Sequence, residues 1–171
     1  VVTAPTGVAA INAGGVTLHS FFQLPFGPIP PGAEMLGGQH RVSREKRNIM
    51  QSLDLLVIDE ISMVRADLLD AIDAVLRRYR RSELPFGGVQ VLMIGDLHQL
   101  APVVKEADWQ LLSSHYPSPY FFSSLVLRRI ELIPIELKQI YRQSDPRFID
   151  LLNRVRDNRL DAASLALLNA R

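Results

Sequence analysis

The chain has no cysteine at all, so disulfides and thiolate metal sites are excluded, and an intracellular location fits. No apolar run approaches the roughly 20 residues that a membrane-spanning helix needs. Neither charge sign is in excess: 19 basic and 18 acidic side chains leave a net charge of +1. That balance does not announce a nucleic-acid binder, although a local basic groove can sit inside a near-neutral total. There is also no basic leader and no initiating Met. Val1 and Val2 run straight into Thr3-Ala4-Pro5-Thr6-Gly7, unlike a targeting peptide. The expectation is a fragment that opens in the middle of a strand.

What is present is enough for one globular domain: 171 residues, 47% of them hydrophobic. Apolar runs bounded by turn signals alternate with helical stretches, which predicts an α/β domain built on a parallel sheet. Strands are predicted at Leu53–Asp59, Val89–Gly95 and Glu131–Leu137. The first two are almost continuously apolar, as for strands covered by helices on both faces. Between them, Leu68, Ile72, Val75, Leu76 and Tyr79 recur at helical spacing over Val64–Arg81. Asp73 and Arg77 stand four apart in the favourable order, which gives that helix a solvated face. Two short helices are expected at Thr6–Ala13 and Thr17–Leu24. Leu24–Gly38, with four prolines and four glycines, reads as an irregular loop. Near the end Asp145-Pro146 is an N-cap followed by a favourable first helical residue.

Chemistry gathers at the strand ends. Leu55-Leu56-Val57-Ile58 runs directly into Asp59-Glu60, and an acid at the C-terminal end of a parallel strand faces the crevice where α/β sheets bind ligands. The first acid suits Mg²⁺, usually through water, and the second suits polarising an attacking water. Either alone could equally be a helix cap. Val91-Leu92-Met93-Ile94 then enters Gly95-Asp96-Leu97-His98-Gln99. The neutral amide of Gln99 can bond a γ-phosphate and orient water without adding charge, and Asp96 could order the loop. Gly, Asp and Pro are also ordinary turn residues. Arg142, after the third expected strand, carries the planar guanidinium that neutralises transferring phosphoryl oxygens. At the N-terminus Thr3–Ala10 sets hydroxyls and backbone amides at a strand end. Thr17, His19 and Ser20 lie beside Phe21 and Phe22, a composition suited to gripping single strands, although such rings are more often core.

In this order the segments resemble superfamily 1 helicases, specifically the petite-integration-frequency (PIF) family and its RecD-like relatives. Ala4–Ala10 and Gly15–Phe21 are similar to the family's first DNA-contacting motifs, and Val57–Val64 to its Walker B segment. Gly95–Val103 is similar to its γ-phosphate sensor. Tyr141-Arg142-Gln143 with Leu151–Arg156 is similar to the segment bearing its phosphate-contacting arginine. The resemblance implies a RecA-like P-loop NTPase fold, a mostly parallel sheet with helices on both faces. It implies 5′-to-3′ translocation on single-stranded DNA driven by ATP and Mg²⁺. Carried over by position, Asp59 is the Mg²⁺-associated acid, Glu60 the catalytic base, Gln99 the γ-phosphate coupler and Arg142 the transition-state arginine. Pro5, Thr6, Gly7, Thr17 and His19 hold the DNA backbone.

The chain departs from the family pattern at Leu97, His98 and Ala101. It contains no G-x-x-x-x-G-K-[ST] phosphate loop, which is expected upstream of Val1, with a second RecA-like domain beyond Arg171. Residues 1–171 then form part of a first motor domain, inactive alone. The parent would be a helicase of DNA repair, recombination or replication acting on single-stranded and forked DNA. Bacterial cytoplasm is the expected location, with nucleus and mitochondrion open. A degenerate, non-catalytic domain is the competing class, and the presence together of Asp59, Glu60, Gln99 and Arg142 argues against it.

Overall fold

A computed structural model describes residues 1–33 and 42–170. Four strands form one sheet in the order β2-β1-β3-β4: β1 Val2–Ala4, β2 Val16–Thr17, β3 Leu55–Ile58 and β4 Gln90–Met93. Every pairing is parallel, with Ala4 opposite Thr17, Thr3 opposite Ile58, and Ile58 opposite Met93. That register ends all four strands at a common C-terminal edge. Gly15 lets the first pair close up, since a Cβ there would lie 2.3 Å from the Val2 carbonyl oxygen.

The helices are α1 Gly7–Asn12, α2 Leu18–Phe22, α3 Arg44–Gln51, α4 Ala66–Arg80, α5 Glu106–Leu112, α6 Pro146–Arg156 and α7 Ala162–Asn169. The short first two start where a threonine caps them: Thr6 Oγ1 accepts the Ala9 N–H and Thr17 Oγ1 the Ser20 N–H. The α4 helix carries the core. Its expected stripe of Leu68, Ile72, Val75, Leu76 and Tyr79 is buried, together with Leu69, against Leu56 and Ile58 of β3 and Met50 of α3. Each such aliphatic side chain contributes about 1.5–3 kcal/mol on burial. Arg80 ties the helix end to the chain around it. Its guanidinium donates to the carbonyls of Met50, Gln51, Leu53 and Gly87.

Three aspartates of α4 hold non-local loops through backbone N–H groups. Asp67 accepts from Ile29, Asp70 from Leu125 and Val126, and Asp73 from Phe86. Asp70 also takes the Tyr116 hydroxyl at 2.9 Å. Burial holds Asp70 and Asp73 above the usual carboxylate range, against the pull of these hydrogen bonds. The Asp73–Arg77 pair therefore does not mark a solvated face: Asp73 is buried, and its first partner is a turn 13 residues away.

One further expectation needs correction. Glu131–Leu137 is not a strand, because among the described residues nothing pairs with it. A β-forming sequence becomes a strand only against a neighbouring strand, and here Ile133, Ile135 and Leu137 are exposed. Leu56 and Ile58 are fully buried, whereas Leu55 on the opposite pleat face, and Leu92 of β4, are exposed. The loop expected at Leu24–Gly38 is irregular through residue 33, and its remainder lies outside the described residues.

The chain divides into two compact units, Val1–Leu132 and Ile133–Arg171. The second holds α6 and α7. Asp145 caps α6 by accepting the Arg147 and Phe148 N–H groups, with Pro146 at the first helical position as expected. Arg154 links the helix pair by bonding Asp150 within α6 and Asp161 at the start of α7.

Candidate active site

Within the first unit the common C-terminal edge of the sheet gathers most of the expected site. Pro5 and Thr6 leave β1 there, Thr17 lies at the end of β2, Asp59 and Glu60 follow β3, and Gly95 follows β4. The turn after β3 is tightly specified. The Asp59 N–H donates to the Thr3 carbonyl at 2.8 Å, and Asp59 Oδ1 accepts the Glu60 N–H at 2.9 Å. Glu60 then adopts φ 52, ψ 44, the left-handed region that a non-glycine residue occupies at a cost of order 1–3 kcal/mol. The payoff of that turn is orientation: it brings the chain at once into the buried 3-10 turn Ile61–Met63 and leaves both carboxylates half-buried at the edge.

The loop after β4 is fastened to this turn. The Ile61 N–H donates to the Ile94 carbonyl at 2.9 Å. Gly95 packs so closely that an added Cβ would lie 2.9 Å from Ile61 Cγ2 and 3.0 Å from Ile61 N. Beyond it, Asp96 folds its own loop: Oδ1 accepts the His98 N–H at 3.0 Å and Oδ2 the Gln99 side-chain amide at 3.2 Å. Gln99 is exposed, its amide aimed by Asp96 and its carbonyl oxygen left as an acceptor. His98 is a loop residue whose backbone, not its ring, does the ordering.

His19 sits half-buried at the start of α2. Burial lowers its pKa first, and the nearby Arg65 guanidinium lowers it further against the opposing Asp67 carboxylate. Its ring stacks on Phe26, with centroids 4.9 Å apart and planes 19° off parallel. Phe21 and Phe22, by contrast, belong to the core. The threonine hydroxyls of Thr6 and Thr17 accept cap bonds and keep their own protons to donate outward. Arg142 lies in the second unit, exposed in the irregular segment before α6, and no strand delivers it.

The donor set suits a hard cation. Asp59 and Glu60 offer only oxygen, and among the described residues no cluster of three or more His, Cys, Asp or Glu could enclose a metal. Mg²⁺ fits such a site because it binds through one or two carboxylates and takes its other ligands from phosphates and water. Missed from the sequence were the Gly95–Ile61 contact and the Phe26 ring. Arg65-x-Asp67, just after the acidic pair, was the available signal for the loop that carries that ring.

The PIF1-like helicase family matches residues 1–164 of the 171. The chain belongs to that family. It is 38% identical over 161 residues to the ATP-dependent DNA helicase PIF1 of Saccharomyces cerevisiae, covering 94% of this chain and 18% of the relative. A structure of Bacteroides Pif1 helicase with ADP-AlF3 and single-stranded DNA superposes with a TM-score of 0.94 at 49% identity. That match covers 98% of this chain and 38% of the other. A structure of two coordinating Pif1 helicases at forked double-stranded DNA gives 0.95 at 48% identity, covering 99% and 40%. The chain thus spans less than half of each of these three proteins. The PIF1-like family accounts for the RecA-like reading of the sheet, and the four motif segments of the first unit fall at one edge of it.

Proposed function

We propose that this chain is part of the first motor domain of an ATP-dependent DNA helicase that moves 5′ to 3′ on single-stranded DNA. The observation that carries the reading is the fastening of two strand-end loops, Asp59-Glu60 and Gly95–Gln99, by the Gly95–Ile61 contact. In this reading Asp59 holds Mg²⁺, which when bound neutralises charge on the nucleotide phosphates. Glu60, aimed by its left-handed backbone, takes a proton from the attacking water. Gln99 bonds the γ-phosphate, and because its loop is locked to the Glu60 turn, loss of that phosphate is transmitted to both. Arg142 stabilises the charge of the transition state. Pro5, Thr6, Gly7, Thr17 and His19 grip the DNA backbone, whose hold alternates with the state of the nucleotide.

The partners are then single-stranded and forked DNA and a second RecA-like domain, in repair, recombination or replication. Higher identity to the Bacteroides enzyme than to the yeast one favours a bacterial cytoplasm. The 171-residue chain alone, with no phosphate-loop sequence, is inactive. The deciding test is steady-state ATP turnover of the whole helicase, with and without single-stranded DNA, in wild type and Glu60→Gln. DNA-stimulated turnover that falls about 10²–10⁴-fold in the variant supports the reading. Absence of turnover in the wild type sinks it in favour of a degenerate domain.

A further inference from the structure

The ring of Phe26 is 86% exposed, although a phenylalanine loses by facing water. A single exposed apolar residue is ordinary; its mounting is what sets this one apart. The loop that carries it is pinned just beyond the ring, at residues 27 and 29. Arg65 Nη2 donates to the Gly27 carbonyl at 2.8 Å, and the Ile29 N–H donates to buried Asp67 at 2.9 Å. Arg65 and Asp67 are themselves joined by two bonds, at 2.8 and 2.7 Å. The ring is thus held on fixed backbone, and little entropy remains to be lost on binding.

Its surroundings define what it could hold. One face is occupied by His19, stacked at 4.9 Å. With burial and Arg65 both keeping the imidazole from protonating, the pair presents two neutral aromatic layers near pH 7. The stack grows from the Thr17–Ser20 segment, whose resemblance is to a DNA-contacting motif. Lys46 of α3 donates to the Ser20 carbonyl, which places a cation against α2. A planar π-face beside a cation is the composition that holds single-stranded nucleic acid, with bases on rings and phosphates near positive charge.

We propose that Phe26 is a base-stacking residue: a nucleobase of the translocated single strand lies on the open face of the His19–Phe26 stack. This rests on the helicase reading above and adds a contact to bases where the motif residues contact backbone. It also reassigns the stacking role from Phe21 and Phe22, which are in the core, to a residue four or five positions on.

The test is equilibrium binding of the whole helicase to fluorescein-labelled oligo(dT), read by anisotropy, with one abasic site walked along the strand. Removing a stacked base should weaken wild-type binding about 10-fold at one position in the footprint. In Phe26→Ala the all-base strand should bind weaker by a similar factor, and that position should no longer matter. Phe26→Trp should restore both affinity and the position-specific loss. A flat abasic profile in wild type, or the same profile in Phe26→Ala, overturns the proposal. Wild-type ATP turnover on the same oligo(dT) separates the two failures. Stimulated turnover with an unaltered profile removes only the stacking role, whereas no stimulation removes the helicase reading.

Discussion

Replacing Gly95 by alanine tests how the two strand-end loops communicate. The added methyl would meet Ile61 Cγ2 at 2.9 Å, Ile61 N at 3.0 Å and Ser62 N at 3.2 Å. Comfortable carbon contacts are about 3.5–4.0 Å, so the Ile61 turn must retreat by about 0.5 Å. Two of the three neighbours are backbone atoms and Ile61 is buried, so no flexible side chain can swing aside. Overpacking of this kind costs about 1–3 kcal/mol. Glu60 immediately precedes Ile61, so the displacement reaches the proposed catalytic base. A misplacement near 1 Å costs about 10²-fold in rate, and half of that should cost about 10-fold. The expected result is DNA-stimulated kcat lowered about 10-fold or more with KM for ATP little changed, since the loss falls on the transition state. Gly27→Ala is the matched control, because a Cβ there meets nothing within 4 Å. A Gly95→Ala enzyme with kcat within about twofold of wild type would show that the contact does not transmit displacement, and the coupling argument would fail.

Three other outcomes are expected. Glu60→Gly should raise unfolding stability by about 1 kcal/mol, through relief of the left-handed backbone, while abolishing ATP turnover. Urea denaturation alongside a turnover assay checks both, and a destabilised variant would contradict the strain. Asp70→Ala strands the N–H groups of Leu125 and Val126 and the Tyr116 hydroxyl. It should lower stability by about 2–4 kcal/mol in the same denaturation, and a loss below about 1 kcal/mol would mean the loop rearranges freely. For His19 the folded pKa lies below the reference of 6.5. The unfolded chain therefore binds the proton more readily, and stability present above pH 6.5 falls as pH drops through that value toward the folded pKa. In His19→Gln this part of the pH dependence should vanish from melting curves, and an unchanged curve between wild type and variant would refute the assignment.

Much of the fold was legible because it was written locally. Continuous apolar runs fixed β3 and β4, the acids that follow them marked the C-terminal edge, and periodicity located α4. The misreadings share a cause in long-range partners. Asp73 looks solvated beside Arg77 until a turn 13 residues on supplies its N–H donor. Glu131–Leu137 reads as an apolar run like a strand, yet strand formation depends on a neighbour that no local pattern records. Phe21 and Phe22 fill the core while Phe26 faces out, a distinction set by the direction of a proline-rich loop. Of the site, residue types were readable; the left-handed Glu60 and the clearance at Gly95 were not, since both are properties of backbone packing.

The three aspartates of α4 have a consequence for variation among related chains. Each recognises main-chain amides, which every residue except proline possesses, so the segments around Ile29, Phe86 and Leu125 can change side chains without losing their anchors. At each anchor point the turn shape and a free amide are constrained, along with the buried side chains of Ile29, Phe86 and Val126. One helix can therefore act as a mounting rail, on which surface loops of quite different chemistry can be exchanged while the C-terminal edge of the sheet stays in place. Chimeras that swap the Pro25–Pro30 loop between family members should accordingly fold, provided position 29 is not proline.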